Sequence, residues 1–336
     1  MQTRNKIVGI EYIRTFAVIS VFLHHVGVYF NLDIPYFKAH GGWLGVYLFF
    51  IISGYLITKN LEKNKVRIYY AKRILRIFPA YIFWFLFSLV INDKNAIAKI
   101  SNETFSFLVN MMCLQHLFPN ALLEFNNLHV TWTLTIEVLW YMMAPLCIIY
   151  LHKNLLHAFI FFSVLSIIWL KLSALGIIKQ VLGADYCPSN YDVLFINNHF
   201  LALITYFLVG SLIYKFNLVT RIRDNHLITI TSFFIIIFLP DKILSFMNPS
   251  PIMPLLLGCI VILFFKIQKS SVIISFLSNI SYSFYLTHFF VLTIVNKMTQ
   301  INFYSKALFA LCVTIIVSYL SYMFIERPCV RFIRKG

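Results

Sequence analysis

Ten apolar runs leave this chain few ways to fold. A run of about 20 residues is long enough to cross the hydrocarbon core of a bilayer. Such runs fall near 8–30, 42–59, 77–92, 131–150, 155–172, 199–215, 226–241, 250–266, 279–297 and 306–325. With 60% hydrophobic and only 12% charged residues, a water-soluble domain has no means of hiding so much apolar surface. Backbone groups in lipid must be satisfied within the chain, so apolar runs of this length are helical. The expectation is an all-α polytopic membrane bundle of about ten transmembrane helices, forming one integral-membrane domain over residues 1–336. The stretch TFSFLVNMMCLQHLF (104–118) is shorter and carries Asn110, Gln115 and His116. It reads as an interfacial or re-entrant piece.

The formal net charge of +16 suggests an acidic partner until its distribution is considered. With the N-terminus placed in the cytoplasm, nineteen Lys and Arg fall in inner segments and eight in outer ones, leaving Arg14 inside a span. That bias is the one the positive-inside rule expects. Both termini are therefore expected in the cytoplasm, with the loop 59–76 inside and 92–130 outside. The basic excess reads mainly as topology, and no nucleic-acid partner is expected. The first run has charge in its interior and no small-residue cleavage site, so it is not expected to be a cleaved signal peptide. The six cysteines form no pair at metal-ligand or redox spacing, and no metal is expected.

Ionisable groups inside lipid are costly and mark functional candidates. In the first span, Arg14 and His25 are eleven residues apart, which is three turns plus about 20°. They share a face, separated by roughly 16 Å of helix rise. Glu11 joins that stripe, whereas His24 points about 80° away. The plainer alternative is a Glu11–Arg14 pair at the interface with His25 packed against a carbonyl. In HVTWTLTIEVLWYMMAP (129–145), Glu137 lies at a depth matching that of His25. Either it pairs with the imidazole or it is a structural partner for another span. Gly45 and Gly54 are small residues of the kind that let helices approach closely. Arg73 and Arg76, three apart, lie on one helical face.

These residues sit in a run of motifs. The Arg14–His25 spacing is followed by GGWLGVYLFFIISGYLIT (41–58), YYAKRILRIFPAYI (69–82), WTLTIE (132–137), ISYSFYLTH (280–288) and FIERP (324–328). In this order and over nearly the whole chain, they resemble the signature of the membrane-bound acyltransferase-3 family. Thr133 and Thr135 stand where serines are commoner in that family, and they keep the hydroxyls. The resemblance implies a multi-pass protein of the bacterial inner membrane. Its reaction would be O-acetyl transfer, with acetyl-CoA as co-substrate arriving from the cytoplasm and a hydroxyl acceptor on the far side. The acceptor class is an envelope glycan such as the O-antigen of lipopolysaccharide, free or lipid-linked, handled at a membrane-lipid surface. The chain, ending at 336, has the look of the stand-alone type without a hydrolase-like extension.

On this reading His25, Arg14 and Glu137 are the catalytic candidates. Arg14, Arg73 and Arg76 are the candidates for the donor phosphates, because arginine suits phosphate. Trp132, Tyr282, Tyr285 and His288 are candidates to line the substrate channel. His25 would act either as general base or as an acyl carrier. FIERP reads as a helix stop with a local Glu326–Arg327 ion pair. Transfer of succinyl or another acyl group, or to another acceptor, is the alternative within the enzyme class. A glycan or lipid-precursor transporter is the alternative outside it, although repeated halves and matching broken helices are not evident.

Overall fold

The computed structural model describes residues 7–150, 154–182, 195–196, 198–221, 252–269, 271–298 and 302–335. Among these residues there are helices and no strands. The first three helices are α1 (Val8–Tyr29), α2 (Phe37–Leu61) and α3 (Val66–Asn92). Three short helices follow, α4 (Ala96–Asn102), α5 (Thr104–Met111) and α6 (Pro119–Glu124), and then α7 (Trp132–Pro145). The chain continues through α8 (Leu155–Ala174), the short α9 (Ile177–Leu182), α10 (Phe200–Lys215) and α11 (Leu218–Arg221). The last helices are α12 (Ile252–Phe265), α13 (Val272–Asn296), α14 (Phe303–Ser321) and α15 (Arg327–Lys335).

Among the described residues, six helical stretches are long and apolar enough to cross a membrane: 8–29, 37–61, 66–92, 132–149, 155–174 and 303–331. Helices α10 and α12 are apolar but shorter. The expected span at 226–241 lies outside the described residues. The segment 104–118 forms α5 and a single 3₁₀ turn at Gln115–Leu117, neither long enough to cross. It is pinned to the bundle by Tyr81, whose hydroxyl donates to the Asn110 carbonyl at 2.7 Å.

One boundary differs from expectation in a way that matters for the site. The basic stretch expected as a loop over 59–76 is mostly helix, because α3 begins at Val66. Lysine, arginine, leucine and alanine are all good helix formers. The charge of Arg67, Lys72, Arg73 and Arg76 lowers the hydropathy of VRIYYAKRILR without interrupting the helix. Arg73 and Arg76 are thereby carried rigidly on the same helix as the apolar run above them.

Helix α2 is the packing centre of this bundle. A Cβ on Gly45 would come within 2.3 Å of the Ala17 carbonyl oxygen in α1. One on Gly54 would come within 1.9 Å of the Phe207 carbonyl oxygen in α10. At both crossings only glycine lets the backbones meet. Helix α1 also packs against α13, and Phe22 meets Phe284 edge to face at 5.6 Å. The polar stripe of α1 is therefore held between α2 and α13. At the periphery, Val90, Phe161, Val164 and Leu308 are exposed, as expected of side chains that face lipid.

Candidate active site

Helices α1, α2, α3, α7 and α13 enclose a cavity of about 740 Å³, its open mouth included. Its basic lining comes from two helices: Arg14 from α1, and Arg73 and Arg76 from α3. The convergence follows from local phase, since Arg73 and Arg76 lie one turn apart on the face of α3 that meets the bundle. Glu137 of α7 is the carboxylate in the lining. Its Oε1 accepts from the Ser53 hydroxyl at 3.0 Å and the Tyr141 hydroxyl at 2.5 Å. The arginines make no ion pair among the described residues, where Lys99–Asp93 is an example of one that does form. Arg73 is buried, and its Nε has no hydrogen-bond partner. Its guanidinium lies 5.7 Å from the Tyr69 ring and 5.6 Å from the Tyr141 ring. Three cations thus share a cavity with one carboxylate whose hydroxyl partners are already in place. Glu326 is a second carboxylate within Coulombic range of Arg14 and Arg76, and the three cations still outnumber the two carboxylates, so the site favours an anion.

The rest of the cavity wall is apolar and aromatic, with Val46, Phe49, Phe50, Leu56, Tyr282 and Tyr285 among its residues. Tyr282 donates to the Ile77 carbonyl at 2.8 Å. The Tyr285 hydroxyl lies 2.7 Å from Thr133 Oγ1 and 3.0 Å from the Val130 carbonyl. The Tyr285 ring stands 5.8 Å from that of His288. His288 Nε2 in turn lies 3.1 Å from His25 Nδ1. Phe289 meets the His25 ring edge-on at 5.2 Å, and the His129 ring lies 4.4 Å from Phe289. A line of contacts therefore runs from the arginine cavity through Tyr285 and His288 to His25.

The expected pairing of His25 with Glu137 is not formed. Histidine 25 meets another imidazole, because α13 rather than α7 packs against the outer half of α1. Glu137 instead faces the arginines at the other end of the stripe. The Glu11–Arg14 pair is not formed either, and Glu11 accepts from Ser275 at 3.2 Å. His24 is turned away as its phase requires, with its Nδ1 2.8 Å from the Lys38 carbonyl. Of the four residues expected along the channel, Tyr282 and Tyr285 line the cavity. His288 lies beyond the lining, against His25, and Trp132 packs 5.7 Å from the His116 ring. Glu326 does not pair with Arg327. It turns inward to accept from the Ser283 hydroxyl, while Arg327 Nη1 reaches Met323 Sδ at 3.2 Å. The inward turn coincides with a π-helical turn at Tyr322–Glu326, and such turns re-aim side chains within a helix.

Sequence reasoning did not single out Ser53 or Tyr141. Tyr141 follows Glu137 by four residues, and i, i+4 neighbours on a helix touch, so a signal for it was present. Ser53 comes from another helix and carried no such signal.

A family profile described as an acyltransferase domain matches residues 7–323. The O-acetyl transferase of Shigella phage Sf6 is 30% identical over 200 residues, covering 54% of this chain and 54% of that protein. The O-acetyltransferase OatA of Staphylococcus aureus is 26% identical over 180 residues, covering 47% of this chain and 28% of its own length. The chain thus spans about half or less of the length of these relatives. No solved structure matches the chain.

Proposed function

The chain belongs to the acyltransferase family whose domain it matches over 7–323, and from that premise we propose that it is a membrane O-acetyltransferase. It takes an acetyl group from acetyl-CoA on the cytoplasmic side of the bacterial inner membrane. The acceptor is a hydroxyl of an envelope glycan, such as O-antigen, on the far side. The observation that carries this reading is the cavity in which Arg14, Arg73 and Arg76 face one lining carboxylate and form no ion pair among the described residues. Coenzyme A brings several phosphate charges at one end and a thin thioester arm at the other. The arginines suit the first, and the apolar wall running to Tyr285 suits the second. Arg14 and His25 share one face of α1 about 16 Å apart, so the arm would lie along the span with its thioester near His25.

In the proposed reaction, His25 removes the proton from the acceptor hydroxyl as the oxygen attacks the thioester carbonyl carbon. The carbon–sulfur bond breaks, and the departing thiolate takes that proton from the imidazolium. The Glu137 carboxylate holds no position near this step. Its part is to tie α2 and α7 together through Ser53 and to offset one of the three positive charges.

The test is thiol release and acetyl transfer by purified protein in nanodiscs, given acetyl-CoA and isolated surface glycan. His25→Ala is expected to lower transfer about 100-fold or more. His24→Ala is expected to keep most of it, because that ring is bonded to the Lys38 carbonyl. An active His25→Ala enzyme would sink the assignment, as would a dead His24→Ala enzyme of normal stability.

A further inference from the structure

The contact between His25 and His288 specifies where the hydrogens are. His288 Nδ1 lies 2.8 Å from the carbonyl oxygen of Tyr285 and 3.2 Å from that of Phe284. A carbonyl oxygen only accepts, so Nδ1 of His288 carries the hydrogen. In the neutral ring Nε2 is then a bare acceptor. His25 Nδ1 stands 3.1 Å from that nitrogen, and the contact is a hydrogen bond only when His25 donates. His25 therefore keeps its hydrogen on Nδ1, and its lone pair is on Nε2.

We propose that His288 is a positioning residue that locks His25 in the Nδ1–H tautomer and makes Nε2 the reacting nitrogen. The inference rests on the reading of His25 as the proton acceptor. The relay is built to hold still. His288 is 1% exposed, so water does not compete for its nitrogens. Its ring is anchored by two carbonyls of its own helix, one turn back. The remaining neighbours of His25 are the Val21 carbonyl one turn back on its own helix, which accepts only and does not oppose a hydrogen on the ring, and two rings, His24 at 5.0 Å and Phe289 at 5.2 Å between centroids. Many enzymes orient a histidine with a carboxylate. An imidazole performs the same tautomer selection without placing another charge inside a span, where charge is expensive. His288 also joins the two halves of the site, since its ring neighbour Tyr285 belongs to the cavity wall.

The experiment is nitrogen NMR of the full chain labelled with [15N]histidine in nanodiscs, with the His25 signals assigned by their loss in His25→Gln. The wild-type protein is expected to show His25 protonated at Nδ1 and bare at Nε2. In His288→Phe this preference is lost, and kcat falls roughly 10- to 100-fold. The KM for acetyl-CoA stays within about twofold, because the arginine cavity is untouched. His288→Gln places an amide oxygen where Nε2 stood, so it restores the Nδ1–H tautomer and most of kcat. Three results would each overturn the proposal: a wild-type His25 carrying its hydrogen on Nε2, a His288→Phe enzyme with unchanged tautomer and kcat, or a Gln variant no better than Phe. If His288→Phe does not fold, the wild-type and Gln tautomers decide the matter. An active His25→Ala enzyme would refute the proton-acceptor reading, whereas the tautomer measurement bears on the His288 contact alone.

Discussion

Replacing Arg73 with glutamine separates a ligand-binding arginine from a structural one. Arg73 is 9% exposed, its guanidinium faces the rings of Tyr69 and Tyr141, and its Nε is without a partner. Losing two cation–π contacts removes about 0.5–2 kcal/mol each. Against that, the variant no longer buries a cation beside Arg14 and Arg76. At an effective dielectric near 20, unit charges roughly 10 Å apart interact by about 1.7 kcal/mol, so two repulsions are relieved and one attraction to Glu137 is given up, a net gain of about 1.7 kcal/mol. The two contributions offset, so the ligand-free protein should change in stability by only about 1 kcal/mol. Donor affinity should respond differently. A charge-assisted hydrogen bond to phosphate is worth about 1.5–3 kcal/mol, which corresponds to a roughly 10- to 150-fold weaker Kd for coenzyme A. The assay is calorimetric titration of nanodisc protein with coenzyme A, alongside melting curves with and without saturating ligand. The ligand-free Tm should hardly move, and the rise in Tm on adding coenzyme A should shrink. A large fall in ligand-free Tm with wild-type affinity would refute the argument and make Arg73 a structural residue.

Two further outcomes are expected. Gly54→Ala gains about 1 kcal/mol of helix propensity, but its Cβ would meet the Phe207 carbonyl oxygen at 1.9 Å. Forcing α2 and α10 apart costs typically 1–3 kcal/mol, so the melting temperature in detergent should fall; an unchanged Tm would show that the crossing yields easily. On the topology proposed from the basic residues, a membrane-impermeant thiol reagent added outside should modify Lys179→Cys and spare Lys65→Cys in a cysteine-free background. The reverse pattern would invert the bundle and place the arginine cavity on the far side.

Much of the site was legible along single helices, because the phase of a helix is a local property. A repeat of 100° per residue is enough to put Arg14 and His25 on one face of α1 and to turn His24 away. The same rule sets Arg73 and Arg76 together on α3, and Tyr282 and Tyr285 together on α13. Hydropathy by itself misjudged the start of α3, since charged residues lower it while remaining good helix formers. Which faces meet was a different matter. Glu137 and His288 were both polar groups able to reach an imidazole in α1, and nothing in their own helices ranked them. Contacts between helices distant in the chain ranked them, through backbone approaches at Gly45 and Gly54 and the packing of α1 against α13. The sequence by itself determined the stripe of α1 and the arginine face of α3. Only the tertiary structure gave His25 its imidazole partner and gathered three arginines around one carboxylate, because interhelical neighbours depend on the packing of the whole bundle.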